Sequence, residues 1–263
     1  MFSFKSLRII TLLLLLAFAA VYTQEQRLST RYWYQATTVT IIPINGDGTQ
    51  QTANYIAQLQ AENFKGIDAF FTKNAKHYKI ITKTPIVTAL GNNIESHPPK
   101  PPQDRQAILS VMLWSLKLRY WAYMNTPDDL SNGDRIRLYV LYHQAKPQQA
   151  LDHSLGLQKG LVGVIQAYAD NRQNGQNQIV MAHEIFHTIG ASDKYDHNNQ
   201  PIFPQGYAKP QQKPLHPQRF AEIMAGRRAL SKNSAEMPKS LRHIVVGKTT
   251  AKEIHSLTDN IIR

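Results

Sequence analysis

Residues 177–196 read NQIVMAHEIFHTIGASDKYD, an apolar run that is interrupted by two histidines and a glutamate. The apolar residues on both sides of these polar ones predict a largely buried α-helix that begins near Asn177. On a helix, His183 and His187 are four positions apart and lie on one face, one turn from each other. Two imidazoles at this spacing can bind a single metal ion on a rigid support.

Glu184 directly follows the first of these histidines. At this position its carboxylate can reach a water molecule on the metal without being a ligand itself. Zinc lowers the pKa of such a water from about 16 towards about 7, and a nearby carboxylate can then accept its proton. Residues 183–187, HEIFH, match the zincin pattern of zinc hydrolases. The alternative interpretation is a pair of ordinary helix histidines without a metal.

A zinc site needs a third protein ligand, and the sequence restricts its type. The chain contains no cysteine, which excludes thiolate ligands, disulfides and a cysteine nucleophile. The ligand must therefore be His, Asp or Glu. Gly190 follows the helix at a point where a left-handed residue can end it. The resulting turn would bring Asp193 back to the metal.

Residues 183–193 resemble the extended motif of the metzincin clan of zinc peptidases, HExxHxxGxx followed by His or Asp. The match is to the Asp version, as in the snapalysin-like branch. The resemblance implies one catalytic Zn²⁺ on His183, His187 and Asp193, with Glu184 as general base. It also implies a Met-turn beneath the metal, for which Met224 is the candidate, and a substrate-binding edge strand at residues 161–169.

Several other residues are candidates for roles at this site. Glu222 is the alternative third ligand, as in gluzincins, while Asp196 and His197 are candidates to contact a ligand or to be plain loop residues. His153 has no assigned role. Arg227 and Arg228 stand where some clan members have a transition-state tyrosine, which leaves Tyr195, Tyr207 or an arginine as candidates. A serine hydrolase is disfavoured because no Gly-x-Ser-x-Gly occurs.

The remaining patterns predict an α/β (α+β) fold of the zincin type. Strands are expected at residues 37–44, 85–90, 136–143 and 161–169, and helices at residues 51–60 and 66–77. Thr49 or Thr52 is expected to cap the first of these helices. A long helix capped by Asp104 and ending near Asn125 is apolar almost all round, which predicts a buried backing helix. The expected architecture is a mixed twisted sheet packed on this backing helix and on the active-site helix.

The first 24 residues have the layout of an export signal. Lys5 and Arg8 precede an uncharged apolar run at residues 9–22, and Ala17-Phe18-Ala19 resembles a cleavage site. The segment is either a signal peptide or a signal anchor, which would associate the protein with a membrane. Residues 25–263 are expected to form one zinc-hydrolase domain outside the cytoplasm. This domain would lie in a bacterial periplasm or be anchored to the inner membrane and face outward; alternatively, it would be secreted.

Two proline-rich segments indicate loops, and the overall charge indicates a basic surface. Residues 97–102, HPPKPP, predict a loop, and the five prolines between Pro201 and Pro217 predict an extended loop that walls the cleft. The net charge of +12 suggests contact with a polyanion, or simply a solvated basic face. No motif of specific nucleic-acid recognition occurs.

Together these patterns predict an exported zinc metallopeptidase that acts on a protein or peptide substrate. Two alternatives remain: a hydrolase of cell-wall peptides, and a non-catalytic binding module that a metal stabilises. The sequence does not indicate the oligomeric state.

Overall fold

The structure is a computed structural model that describes residues 36–102, 104, 107–126, 135–145, 154–157 and 161–254, with scattered positions between 4 and 17. Most of the predicted export segment, including Phe18 and Ala19 of the cleavage-like sequence, lies outside the described residues. Within the described part of the chain, none of the helices combines the length and the apolar character needed to cross a bilayer.

A five-stranded sheet forms the centre of a mixed α/β fold. Its spatial order is β2-β1-β3-β5-β4, with four parallel strands and an antiparallel β4 at one edge. The four strands that the sequence predicted are all present. The strands of this sheet are β1 (Thr37–Asn45), β2 (Ile86–Leu90), β3 (Arg135–His143), β4 (Leu155–Leu157) and β5 (Val162–Tyr168).

The middle of the sheet is covered on both faces, which explains the continuous apolar character of β1. Val39 and Ile41 belong to one buried cluster, and Ile42 and Ile44 belong to a second cluster on the other face. Strands of a parallel sheet are typically apolar on both sides for this reason.

The larger cluster is covered by helices α1 (Gln50–Ala57), α2 (Lys65–His77) and α4 (Asn174–Thr188). Thr49 caps α1 as predicted, because its side chain accepts a hydrogen bond from the backbone N–H of Thr52. The helix that was expected at residues 51–60 is shorter at its carboxyl end. The motif helix predicted from about Asn177 starts one turn earlier, at Asn174.

Helix α3 (Ile108–Met124) covers the other face and corrects the prediction of a fully buried helix. Only Leu118 and Ala122 are buried, one turn apart on the side that contacts the sheet. The opposite side is apolar and exposed at Ile108, Leu109, Met112, Leu113, Leu116, Tyr120, Tyr123 and Met124. The predicted cap is also wrong, since the N-cap residue is Ala107 and not Asp104. A single helix on a sheet buries only one side, whatever its composition.

The predicted edge strand also needs correction. Residues 161–169 form β5, which lies between β3 and β4 and is therefore an inner strand. The edge is β4, only three residues long and centred on Gly156. So short a strand, with a glycine in its middle, carries almost no sequence signal of its own.

The chain after α4 is mostly irregular. Residues 201–217 contain two isolated bridges and no regular strand or helix, as the proline content predicted. Helix α5 (Lys248–Glu253) follows four short strands. These strands are β6 (Ala221–Glu222), β7 (Arg228–Ser231), β8 (Ser234–Glu236) and β9 (Ile244–Val245).

Candidate metal centre

The motif helix α4 is fixed at both ends of its buried face. At its start, the Asn177 side chain accepts from the backbone N–H of Tyr168 and donates to the carbonyl of the same residue, at 3.0 and 2.9 Å. Further along, the Phe186 ring stacks on Phe71 with centroids 5.0 Å apart. The apolar residues around the motif are buried, as predicted. The helix therefore supports its polar residues rigidly.

The two motif histidines lie side by side on this helix. Their Nε2 atoms are 3.1 Å apart, and their ring centroids are 4.7 Å apart at nearly a right angle. His183 is buried, whereas His187 is partly exposed. The predicted spacing of one helical turn thus brings the two imidazoles to one point.

Gly190 ends the helix and reverses the chain, as the sequence predicted. Its φ of 111° lies in the region that favours glycine, and the N–H of Ala191 returns to the carbonyl of Phe186 at 2.9 Å. Three residues later, the Asp193 Oδ1 atom lies 3.0 Å from His187 Nε2 and 3.2 Å from His183 Nε2. The turn therefore places the carboxylate opposite both imidazoles.

The remaining nitrogen of each imidazole contacts a backbone carbonyl. His183 Nδ1 lies 2.9 Å from the Ile223 oxygen, and His187 Nδ1 lies 3.0 Å from the Ala191 oxygen. A carbonyl only accepts, so each Nδ1 is the protonated nitrogen and donates to it. In each ring Nε2 is then the nitrogen that faces Asp193 and that can bind a metal ion once it carries no proton. Metal-binding histidines are oriented in this way by their outer partners.

The donor set fits a single divalent ion. Among the described residues, His183, His187 and Asp193 form a group whose ligand atoms all lie within 4.8 Å of one another. In a tetrahedral zinc site with bonds of about 2.0–2.1 Å, neighbouring ligand atoms are about 3.3 Å apart. The separations of 3.0 to 3.2 Å between the three donors are close to this value. Two imidazoles and one carboxylate can therefore hold a metal ion here.

The electrostatics of the group show a strong mutual attraction. Burial alone would lower the pKa of His183, but the hydrogen bond with Asp193 and the charge of Glu184 raise it to about 9. Burial opposes ionisation of Asp193 as well, yet hydrogen bonds from His183 and His187 hold its pKa well below the usual range. In the ion-free protein, a proton on the imidazole thus balances the charge of the Asp193 carboxylate, as a bound cation would.

Glu184 is the buried carboxylate of the site. Its side chain is almost inaccessible, and its Oε2 atom has no hydrogen-bond partner among the residues that the structure describes. Burial raises the pKa of this carboxyl, although the neighbouring histidines and the N–H of Gly156 act in the opposite direction. A buried carboxylate oxygen without a partner is unfavourable unless a water, proton or ion completes it. Glu184 is therefore suited to accept a proton from a ligand of the metal.

Strand β4 lies directly against this part of the helix. A Cβ atom added to Gly156 would be 2.6 Å from the Glu184 carbonyl oxygen and 2.7 Å from the His187 Cβ. Only glycine permits this approach between the edge strand and the motif helix. The sequence does not predict this contact, because a glycine in a short irregular segment has many explanations.

The segment that contains Met224 forms a tight turn beside His183. The N–H groups of Ala225 and Gly226 return to the carbonyl of Glu222, and Gly226 has a φ of 65°. Met224 is fully buried in this turn, and the preceding carbonyl, that of Ile223, holds the His183 ring. The candidate Met-turn residue is therefore next to the metal site in space, 37 residues from His187 in sequence.

The alternative ligands are not part of the group. Glu222 is buried but accepts hydrogen bonds from Met224, Ala225, Gly247 and Thr250, so it holds a loop. Asp196 accepts from the N–H groups of Asn198 and Gln200 in an exposed turn and does not orient an imidazole. His197 is exposed beside Asn198. His153 lies outside the described residues.

The two candidate tyrosines differ in position. The Tyr195 ring lies with its centroid 6.1 Å from that of His183, at the rim of the site. The Tyr207 hydroxyl contacts His216 Nε2 at 3.1 Å. Tyr195 is therefore the one of the two with a ring contact to a candidate ligand among the described residues.

Comparison with known proteins adds no assignment: no protein-family model and no curated protein matches this chain.

Proposed function

We propose that this chain is a zinc-dependent hydrolase of peptide bonds, with His183, His187 and Asp193 as metal ligands and Glu184 as general base. The supporting observation is the convergence of three donor atoms within 3.2 Å of each other beside the buried Glu184 carboxylate, one oxygen of which has no partner in the described part of the chain. A zinc ion bound here would act as a Lewis acid and increase the acidity of water. The resemblance of residues 183–193 to the metzincin motif supports the same reaction.

The role of each residue follows from its environment. The Ile223 and Ala191 carbonyls fix the tautomers of the two histidines, so that both Nε2 atoms remain available as ligands. The Asp193 carboxylate neutralises positive charge at the site. Glu184 accepts a proton from the attacking water and returns it to the amine of the leaving group, as a general acid and base. Burial raises the pKa of the Glu184 carboxyl, which makes it a stronger base than an exposed glutamate.

The substrate side of the proposal rests on the edge strand. β4 is the edge strand next to β5 and lies directly against the motif helix. An extended peptide can add to such an edge through backbone hydrogen bonds, which would place it across the ligands. The signal-like residues 1–24 support a substrate outside the cytoplasm. In this proposal β4 takes the substrate-binding role that was expected for residues 161–169.

The test combines metal analysis with peptide hydrolysis. Wild-type protein should contain about one zinc per chain and digest casein or a peptide library until a chelator is added. Glu184→Gln should keep the metal and lose roughly 10²- to 10⁴-fold in hydrolysis. Glu62→Gln, an exposed carboxylate on another element, serves as the matched control and should retain full activity.

Three outcomes would contradict the proposal. A wild type without bound divalent metal, or hydrolysis that resists both chelation and the Glu184 substitution, removes its chemical basis. If Glu184→Gln kept its metal and its full biological function, the protein would instead be a non-catalytic binding module that a metal stabilises.

A further inference from the structure

Helix α5 contacts both loops that carry the metal site, although it lies some sixty residues after the motif. Near its start, Gly247 N–H and the Thr250 hydroxyl donate to Glu222 Oε1 at 3.0 and 2.7 Å. The other oxygen of Glu222 accepts from Met224 and Ala225. One end of α5 is thereby connected to the turn that orients His183.

The other end of α5 is connected to the loop of the third ligand through Glu253. This carboxylate accepts from the Ser192 N–H at 3.1 Å and from the Ser192 hydroxyl at 2.8 Å. It also accepts from the Lys194 ammonium group at 2.9 and 2.8 Å. Glu253 therefore binds both sequence neighbours of Asp193.

The Lys194 ammonium group makes this connection rigid. Its side chain is only 6% exposed, and besides Glu253 it donates to the Ser192 carbonyl at 2.7 Å. The backbone N–H of Lys194 donates to the Met224 carbonyl at 2.9 Å. A buried ammonium group that loses its carboxylate is strongly unfavourable, so the loop depends on Glu253.

Asp193 itself has little other support. Its side chain is 43% exposed and lies in a segment without helix or strand. Apart from its contacts with the two histidines, its position is determined by the backbone of Ser192 and Lys194.

We propose that Glu253 is a positioning residue that holds Ser192 and Lys194 and thereby keeps the Asp193 carboxylate in place as the third metal ligand. This inference rests on the proposed metal site, but it does not require that the protein hydrolyses peptides. It differs from a purely structural ion pair, which would stabilise α5 without acting through Asp193.

The experiment is a thermodynamic cycle on zinc affinity, measured by competition with a chromophoric chelator. Glu253→Ala should weaken Zn²⁺ binding about 10- to 100-fold, the range found for residues that orient metal ligands. In an Asp193→Ala background the same substitution should change the affinity less than about twofold, because its effect passes through Asp193. Glu236→Ala, which removes the exposed ion pair with Arg228, is the control and should leave affinity unchanged.

Two further variants keep the test decisive if Glu253→Ala folds poorly. Glu253→Gln retains the shape but loses the charge and should weaken binding. Ser192→Ala removes the hydroxyl contacts with Glu253 and Lys194 but leaves the Ser192 N–H and the Lys194 ammonium group on Glu253, and it should have a smaller effect. Equal losses with and without Asp193, or unchanged affinity in Glu253→Gln, would overturn the inference. Wild-type protein that binds zinc without hydrolysing peptides would contradict the proposed function alone.

Discussion

Helices α4 and α3 lie on opposite faces of the same sheet, and the less apolar of the two is the more deeply buried. In α4, nine of 15 residues are buried, among them His183 and Glu184. In α3, only two of 17 residues are buried, although its sequence is apolar almost all round. The face that carries the polar site is thus the better enclosed one.

The difference arises from the number of layers around each helix. Helix α4 contacts the sheet on one side, α2 on another, and the turn at Ile223 on a third. Helix α3 contacts the sheet through Leu118 and Ala122, and its opposite side faces solvent in the described part of the protein. Apolar composition therefore indicates burial only where the fold supplies a further layer.

The largest predicted effect is a difference in the free energy of unfolding between a variant of α4 and a variant of α3. Phe186 is 1% exposed and packs against Phe70 and Phe71. Phe186→Ala should lower the free energy of unfolding by about 3–5 kcal/mol, since it leaves a cavity under the site. The matched control is Tyr123→Ala on α3, where the side chain is 75% exposed and the loss should stay within about 0.5 kcal/mol. Urea denaturation measures both, and similar losses would contradict the difference in enclosure.

A smaller effect is expected where the edge strand meets the motif helix. Gly156→Ala should destabilise the protein by about 1–3 kcal/mol, because the new methyl group would collide with backbone atoms of α4. Its pairing partner Gly163 provides the control. A methyl group there would meet Leu138 Cδ2, the end of a flexible side chain, and should be tolerated better. Thermal unfolding of both variants tests this order, and a greater loss for Gly163→Ala would contradict it.

The sequence predicted the parts of the fold that repeat a local period. The strands at residues 37–44 and 136–143, the motif helix and the reversal at Gly190 all depend on near neighbours, and all are present. The ligand group follows from the same local pattern, since eleven residues contain all three donors.

Other features could not be predicted because they depend on distant parts of the chain. The Ile223 carbonyl that orients His183 comes from a turn 40 residues away, and Glu253 contacts Lys194 across 59 residues. A carbonyl has no sequence signature, and one glutamate among seven has no pattern to distinguish it. The order of the inner and outer strands, which placed β5 inside the sheet, is likewise a property of the whole sheet.

The smallest predicted effect concerns the loop that contains Asp47, on the α4 side of the sheet. Hydrogen bonds, rather than apolar packing, hold this loop. The Asp47 carboxylate joins the end of β1 to that of β3, since it accepts from Gln144 N–H at 2.6 Å and from Thr49 at 3.0 and 2.8 Å. Burial acts to raise the pKa of Asp47, but the backbone hydrogen bonds from Gln144 and Thr49 lower it from 3.8 to about 2. Its folded-state pKa is therefore depressed. The stabilisation is fully present above pH 4 and is lost as the pH falls towards 2.

Asp47→Asn should accordingly reduce the free energy of unfolding near neutral pH by about 1 kcal/mol or less, because the group is only partly buried. The difference from wild type should shrink between about pH 4 and pH 2, where the wild-type carboxyl becomes protonated as well. Urea denaturation at several pH values in this window measures it. Thr52→Val, which removes only the longest of the four hydrogen bonds at 3.2 Å, should retain most of the pH dependence. If the difference in free energy of unfolding between wild type and Asp47→Asn stayed constant down to pH 2, the charge of Asp47 would not contribute. The loop would then be held by packing, as α4 is.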